Sequence, residues 1–296
     1  MKLESGMLVR HPKFGLGRVI RVDGNKAYVF FRDQETNRAV RLQADSPLLV
    51  AAETASDPWL DNLPPFDEVD GGLQLSEKRI THAQAVTKFK RLFPKGFDDR
   101  AYLGDEKIGE RNYKWEKHEE FVELLGRGEG ERLLAAGDLA ELIRRTRRVT
   151  STNLTSIFEK GAFGDALTGG KETRDYFESL FKMLAVGPSN ATVTPYFASV
   201  ENLPQPKGRV ATWPVATLMP FLAQPDKHMF LKPEVTQEAE NRLGFHLSYK
   251  PQPNWLTYKK LLELADLLMV DLRPLGARDF IDVQSFIYIA STYDEP

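Results

Sequence analysis

The chain has 296 residues, 42% hydrophobic and 28% charged, which is length for two globular domains and too much apolar content for a disordered chain. Its 40 Lys and Arg stand against 42 Asp and Glu, a net charge of −2, so it does not hold nucleic acid by bulk positive charge, although a local basic patch remains open. With no cysteine, disulfides, Cys-ligated zinc, iron–sulfur clusters and thiol nucleophiles are excluded.

Charge by segment marks the joints. Residues 1–50 carry nine bases and five acids, residues 51–72 carry six acids and no base, and residues 73–296 carry 31 of each. The expectation is an α+β multidomain chain: a small SH3/Tudor-like β-barrel over 1–50, an acidic Pro/Gly linker over 51–72 and a mainly α-helical domain over 73–296. No run approaches the ~18 apolar residues of a membrane span, and the opening Met1-Lys2-Leu3-Glu4-Ser5-Gly6 lacks the apolar core of a signal peptide. A cytoplasmic protein with no membrane partner is expected.

Strands come first. Met7-Leu8-Val9 is a short apolar run. The β-rich runs 17–22 and 26–32 flank Asp23-Gly24-Asn25, a hairpin signal because Gly and Asn accept positive φ. Residues 38–42 alternate as a half-buried strand does, and Gly15 and Gly17 permit the bends of a small curled barrel.

The pattern Gly6-x-x-Val9-x-His11-Pro12-x-Phe14-Gly15-x-Gly17-x-Val19, followed by Ala27-Tyr28-Val29-Phe30-Phe31, resembles the Tudor-like module at the C-terminal end of UvrD-type helicases. It is also similar to the polymerase-binding domain of CarD-type transcription factors. The resemblance covers the first fifty residues and implies docking to RNA polymerase or a repair protein, sometimes to nucleic acid. The helicases carry a motor ahead of this module and these 296 residues show none, so a helicase role is not expected. The residues support a binding face on their own: Arg10, Lys13, Arg18, Arg21 and Arg32 interleave with Phe14 and Tyr28, and guanidinium groups pair with phosphate or carboxylate while exposed rings stack on bases. The competing reading places Phe14, Tyr28, Phe30 and Phe31 in the core of so small a barrel.

The acidic segment holds Pro58, Pro64, Pro65 and Gly71-Gly72, which suits an extended linker. Its Trp59, Leu60, Leu63 and Phe66 suit a strap docked on one of the domains. Its charge would also let it lie over the basic face as a pseudo-ligand, with a solvated linker as the alternative.

Helical periodicity follows. Ser76-Glu77-Lys78-Arg79 caps a helix running to Phe93; further helices are expected over 112–125, 138–149, 154–167 and 172–186, then an irregular Pro-rich stretch over 187–208. Pro233 suits the first turn of a helix ending near Gly244, Asn254 caps a helix over 255–272, and 280–289 is apolar on nearly all sides.

Catalytic patterns are mostly missing. Gly169-Gly170-Lys171-Glu172-Thr173 lacks the first Gly of a P-loop, His118-Glu119 lacks the second His of a zincin, and no Gly-x-Ser-x-Gly elbow exists. A metal-dependent nuclease needs paired carboxylates and a lysine; Asp98 or Asp99 followed by Asp105-Glu106-Lys107 is a loose version. Arg144, Arg147 and Arg148 share one helical face and could touch a phosphate backbone, or simply satisfy a helix C-terminus. Asp279 and Asp282 sit among apolar groups and need a buried partner, with Arg278 or Lys232 in reach.

These readings converge on a non-enzymatic adaptor with no cofactor, metal or catalytic residue, whose partner is RNA polymerase or a repair factor, or nucleic acid. Its binding residues would be Arg10, Lys13, Phe14, Arg18, Arg21, Tyr28, Arg32, Arg144, Arg147 and Arg148. The alternatives are a nuclease or other effector of a phage-defence system, and a structural subunit of a larger complex.

Overall fold

The Asp23-Gly24-Asn25 turn joins β2 (Gly15–Asp23) to β3 (Lys26–Phe31), with Gly24 at φ +57. β1 (Leu8–His11), β4 (Val40–Gln43) and the two-residue β5 (Val50–Ala51) complete an antiparallel sheet ordered β4-β3-β2-β1-β5. The described residues, 2–75, 79–104 and 109–292 of this computed structural model, leave β4 and β5 as edges, so the sheet is not a closed barrel. By compactness the chain forms two units, Met1–Phe89 with Gln237–Leu247 and Ala290–Pro296, and Lys90–Thr236 with Ser248–Ile289. The result is α+β, a small antiparallel β region followed by helices.

In the first unit one face of the sheet buries Val9, Val19, Ala27, Val29 and Phe31. The other carries Leu8, Tyr28 and Phe30, which alternation along β1 and β3 sends to the opposite side. The β2–β3 register slips between Val19 and Arg21. That bulge sets Ile20 and Arg21 together on the Tyr28 side.

Residues 51–72, expected as an acidic linker, fold onto this second face. β6 (Asp67–Val69) and β7 (Gly72–Gln74) form a hairpin across Asp70 and Gly71, both at positive φ, as a tight two-residue turn requires. Leu60, Leu63, Phe66, Leu73 and Leu75 pack against Leu8, Tyr28, Phe30 and Ile20. Ala39 N–H donates to the Leu73 carbonyl at 2.8 Å. The physical reason is the apolar content: a strap with five large side chains buries them wherever a sheet face lies bare. Trp59 meets Phe245 edge to face at 5.4 Å, and the His246 amide donates to the Asn62 carbonyl at 2.6 Å.

The helices are α1 (His82–Leu92), α2 (Arg100–Leu103), α3 (Asn112–Leu124), α4 (Glu129–Ala135), α5 (Leu139–Val149), α6 (Ile157–Ala166), α7 (Lys171–Val186), α8 (Asn190–Glu201), α9 (Trp213–Ala223), α10 (Pro233–Leu243), α11 (Trp255–Leu272) and α12 (Phe280–Thr292). The expected cap at 76–78 lies outside the described residues; α1 starts instead from a reciprocal Thr81–Gln84 pair. In the second unit α9 is buried along its whole length and packs against α3, α6 and α7. None of the described helices is long and apolar enough to cross a membrane.

The stretch 187–208, expected as irregular, contains α8. Val193, Tyr196, Phe197 and Val200 are buried at helical spacing, and a reciprocal Ser189–Thr192 cap starts the helix. That apolar stripe outweighs the one backbone hydrogen bond lost at Pro195.

Candidate binding sites

Phe14, Gly15 and Gly17 build the motif turn. Phe14 is half-buried, its ring 4.7 Å from His11 and 5.0 Å from Phe31. Gly15 sits at φ +76, where an L side chain is strained. A Cβ on Gly17 would fall 2.5 Å from the Phe31 ring and 2.8 Å from Val29. The Phe-Gly-x-Gly spacing therefore seats two rings in a small core. Lys13 holds its ammonium 5.3 Å from the Phe14 ring centre, and Arg10 is exposed on β1 opposite Leu16 and Val50. Neither Arg10 nor Lys13 has an ion-pair partner among the described residues.

The remaining guanidinium groups of this wall face the strap's acids. Arg18 pairs with Asp61, Arg21 with Glu68 at 3.2 Å, Arg32 with Asp57 at 3.3 Å and Arg38 with Asp70 at 3.8 Å. Arg21 also lies over the Tyr28 ring at 4.8 Å, and Tyr28 itself is buried, 5% exposed. Asp57 does double duty, its Oδ1 accepting from the Trp59 and Leu60 amides and so fixing the turn that delivers Leu60 to the sheet. The other acids of the set are exposed, and such pairs contribute about 0–1 kcal/mol each. Packing, not charge, holds the strap down.

On α5 the three arginines also have internal partners. Arg144 makes a two-pronged contact to Glu141 at 2.7 Å, and Arg148 Nε donates to Glu120 at 2.6 Å. Arg147 donates to the Gly164 carbonyl at 2.6 Å. Hydrogen bonds from Arg144 and then Arg145 pull the Glu141 carboxyl down to about 2. The structure thus places the wall residues together on one sheet and the α5 trio in the other unit.

The carboxylates at the start of α12 find a partner that sequence reasoning missed. Arg111 donates to Asp279 at 2.7 and 2.9 Å and to Asp282 at 2.8 Å, and the Tyr102 hydroxyl donates to Asp282 at 2.5 Å. Arg278, one of the two expected partners, gives Asp282 its backbone amide at 2.8 Å and an ion pair at 3.7 Å, and its guanidinium also reaches Asp98 at 2.5 Å. Burial pushes the Asp282 carboxyl up, against the pull of the Arg111 charge and the Tyr102 hydroxyl. Lys232, the other candidate partner, faces the Tyr288 ring at 6.0 Å. The signal available in the sequence was the i, i+3 pair Arg111 and Lys114, two cations on the face of α3 that turns inward.

The acids of the loose nuclease pattern are engaged elsewhere. Asp98 holds Arg278, and Asp99 caps α2 through the Ala101 amide at 3.1 Å. Asp105, Glu106 and Lys107 lie outside the described residues. Among the described residues no cluster of His, Asp and Glu could hold a metal ion. The chain matches no family model, no curated protein and no solved structure, so the likeness of its first fifty residues to Tudor-like modules rests on those residues alone.

Proposed function

We propose that this chain is a non-enzymatic adaptor whose N-terminal unit docks on a protein of the transcription or repair machinery through the Arg10–Phe14 turn. In this reading the sheet is a Tudor/SH3-like module whose bare face is covered by its own strap. One observation carries the proposal: Arg18, Arg21, Arg32 and Arg38 already hold carboxylates, whereas Arg10 and Lys13, beside the motif turn, have no ion-pair partner among the described residues. A cation beside a half-buried aromatic ring, with a second unpaired cation on the neighbouring strand β1, suits an acidic protein surface better than a tract of phosphates, which needs a longer cationic track. In the second unit Ile157 and Phe158, 75% and 84% exposed at the start of α6, are the kind of apolar pair that a second partner covers.

The test uses the full chain as bait in nuclease-treated extract, beside an Arg10→Glu/Lys13→Glu variant. Retention of an RNA polymerase subunit or a repair protein by the first and its loss from the second is expected. Equal retention by both, or capture that disappears on nuclease treatment, overturns the reading.

A further inference from the structure

In the second unit the end of α3 meets the ends of α7 and α9 around an open cavity of about 250 Å³. Phe121, Leu125, Phe181 and Ala223 of its lining are buried, whereas Val122 and Leu184 are half-buried and reach solvent. Ala185 and Gly128 also line it, and they carry too little side chain to fill it from within. Its walls are pinned to one another. The Gln224 amide donates to the Leu184 carbonyl at 2.9 Å, and His118 Nδ1 lies 2.7 Å from the Leu222 carbonyl, so the site needs little reorganisation to accept a ligand.

A second, shallower hollow of about 360 Å³ adjoins the first. Val122 and Arg127 line both, and His118, Glu119 and Glu123 line the second. From His118 to Leu125 the two together follow α3 for about 10 Å. The charges along this groove are unspent. Glu119 and Glu123, one turn apart on α3, and Glu131 in the first lining have no ion-pair or hydrogen-bond partner for their carboxylates among the described residues. Glu120 of the same helix, by contrast, holds both Lys117 and Arg148. Because a carbonyl only accepts, His118 carries its proton on Nδ1, and the neutral ring keeps Nε2 as a further acceptor. Arg127 is the single Lys or Arg of either lining, against three carboxylates.

The occupant has to bring apolar surface and positive charge together. A small apolar molecule leaves the carboxylates unanswered, and they repel a nucleic-acid strand or an acidic surface. An extended peptide has no sheet edge to join, because the described residues of this unit contain no strand. An amphipathic helix presents apolar anchors at i, i+3 or i+4 and i+7, a row that spans the same ~10 Å. The volume suffices for one large side chain, since a cavity of roughly 150 Å³ holds a benzene ring. Lys or Arg flanking that row answer the carboxylates, which select the partner while the apolar seat holds it.

We propose that this groove docks a basic amphipathic helix of a partner protein, with one large apolar side chain seated against Val122 and Leu184 and its cations on Glu119, Glu123 and Glu131. The groove belongs to the second unit, and its occupancy does not depend on docking through the Arg10–Phe14 turn.

The experiment titrates the full chain by fluorescence anisotropy against three labelled peptides of about five helical turns. One is a Leu/Lys peptide with Leu at helical spacing, one has the same composition in an order that breaks the stripe, and one keeps the stripe with Glu in place of Lys. The first should bind saturably by about 100 μM, and roughly tenfold more tightly than the other two. Glu119→Gln/Glu123→Gln should weaken it roughly fivefold at low salt and less at high salt. Ala185→Arg, at an exposed helix position, fills the groove with a long cation and should abolish binding. Melting temperatures of both variants should stay at the value of the natural chain. No saturable binding, equal binding of the three peptides, or binding that either variant leaves unchanged overturns the proposal. A dimer of the free chain that Ala185→Arg dissociates also overturns it, and assigns the groove to a second copy.

Discussion

His228 is fully buried in the second unit, with Lys227 next to it in sequence and the Tyr258 hydroxyl 3.1 Å from Nδ1. That hydroxyl donates to the Met229 carbonyl at 3.4 Å, which leaves its oxygen to accept from a protonated Nδ1. Burial, and then the Lys227 charge, push the imidazole from 6.5 down to about 4. The unfolded chain therefore takes up a proton below pH 6.5 that the folded chain refuses until about pH 4. Stability falls as pH drops through that window, by up to about 3 kcal/mol, and is unaffected above it. Urea midpoints at neutral pH and near pH 4.5 should differ clearly in the natural chain and much less in a His228→Gln variant; equal slopes would discard the account. At this scale the sequence is legible in part. Asp279 and Asp282, set among apolar residues, announce a need for a buried cation. The cation that answers is 168 residues away from Asp279, in a stretch whose mixed charges read as an ordinary exposed helix start.

Elements are more legible where caps and turns are local. Asn254 accepts from the Thr257 amide at 3.0 Å and α11 runs from Trp255 to Leu272, as the cap and apolar stripe predict. The β2–β3 hairpin follows from its turn residues in the same way. Prolines misled the reading of α8, whose buried stripe overrides a missing amide. The docked strap that Trp59, Leu60, Leu63 and Phe66 suggested is present, and its hairpin of β6 and β7 was also written in the chain, as Asp70-Gly71 between short runs, yet six acids with no base drew the reading toward an extended segment. Its grip can be divided by mutation. Leu60 is 1% exposed against Leu8, Phe30 and Leu75, so Leu60→Ala should cost about 2–5 kcal/mol. Asp61→Asn, which removes one side of a half-exposed ion pair, should cost less than about 1 kcal/mol. Chemical denaturation of the two variants checks this; a larger loss from Asp61→Asn would mean that charge holds the strap.

For the whole molecule, the chain assembles its first unit from distant pieces. Gln237–Leu247 joins the sheet and strap after more than a hundred residues of helices, which no reading of local pattern along the chain would suggest. Long-range pairing of this kind is set by tertiary burial, because nothing in residues 237–247 alone distinguishes them from the rest of a helical domain.

The strap also changes what this surface does in an ionic solution. A bare guanidinium wall gathers small anions, and displacing them drives polyanion binding and makes it salt-dependent. Here the carboxylates of Asp57, Asp61, Glu68 and Asp70 stand in for those ions, and being covalently tethered they cannot be released to bulk. A phosphate that takes their place frees a carboxylate that must recruit a cation of its own, so little net ion release remains. Any single-stranded DNA binding by the natural chain should accordingly respond only weakly to salt. The Asp57→Asn/Asp61→Asn/Glu68→Gln/Asp70→Asn variant should bind it more tightly, with a log–log slope steeper by about 0.7 for each phosphate engaged. Fluorescence anisotropy across a salt series reads both, and identical slopes would show that the tethered acids do not act as counterions.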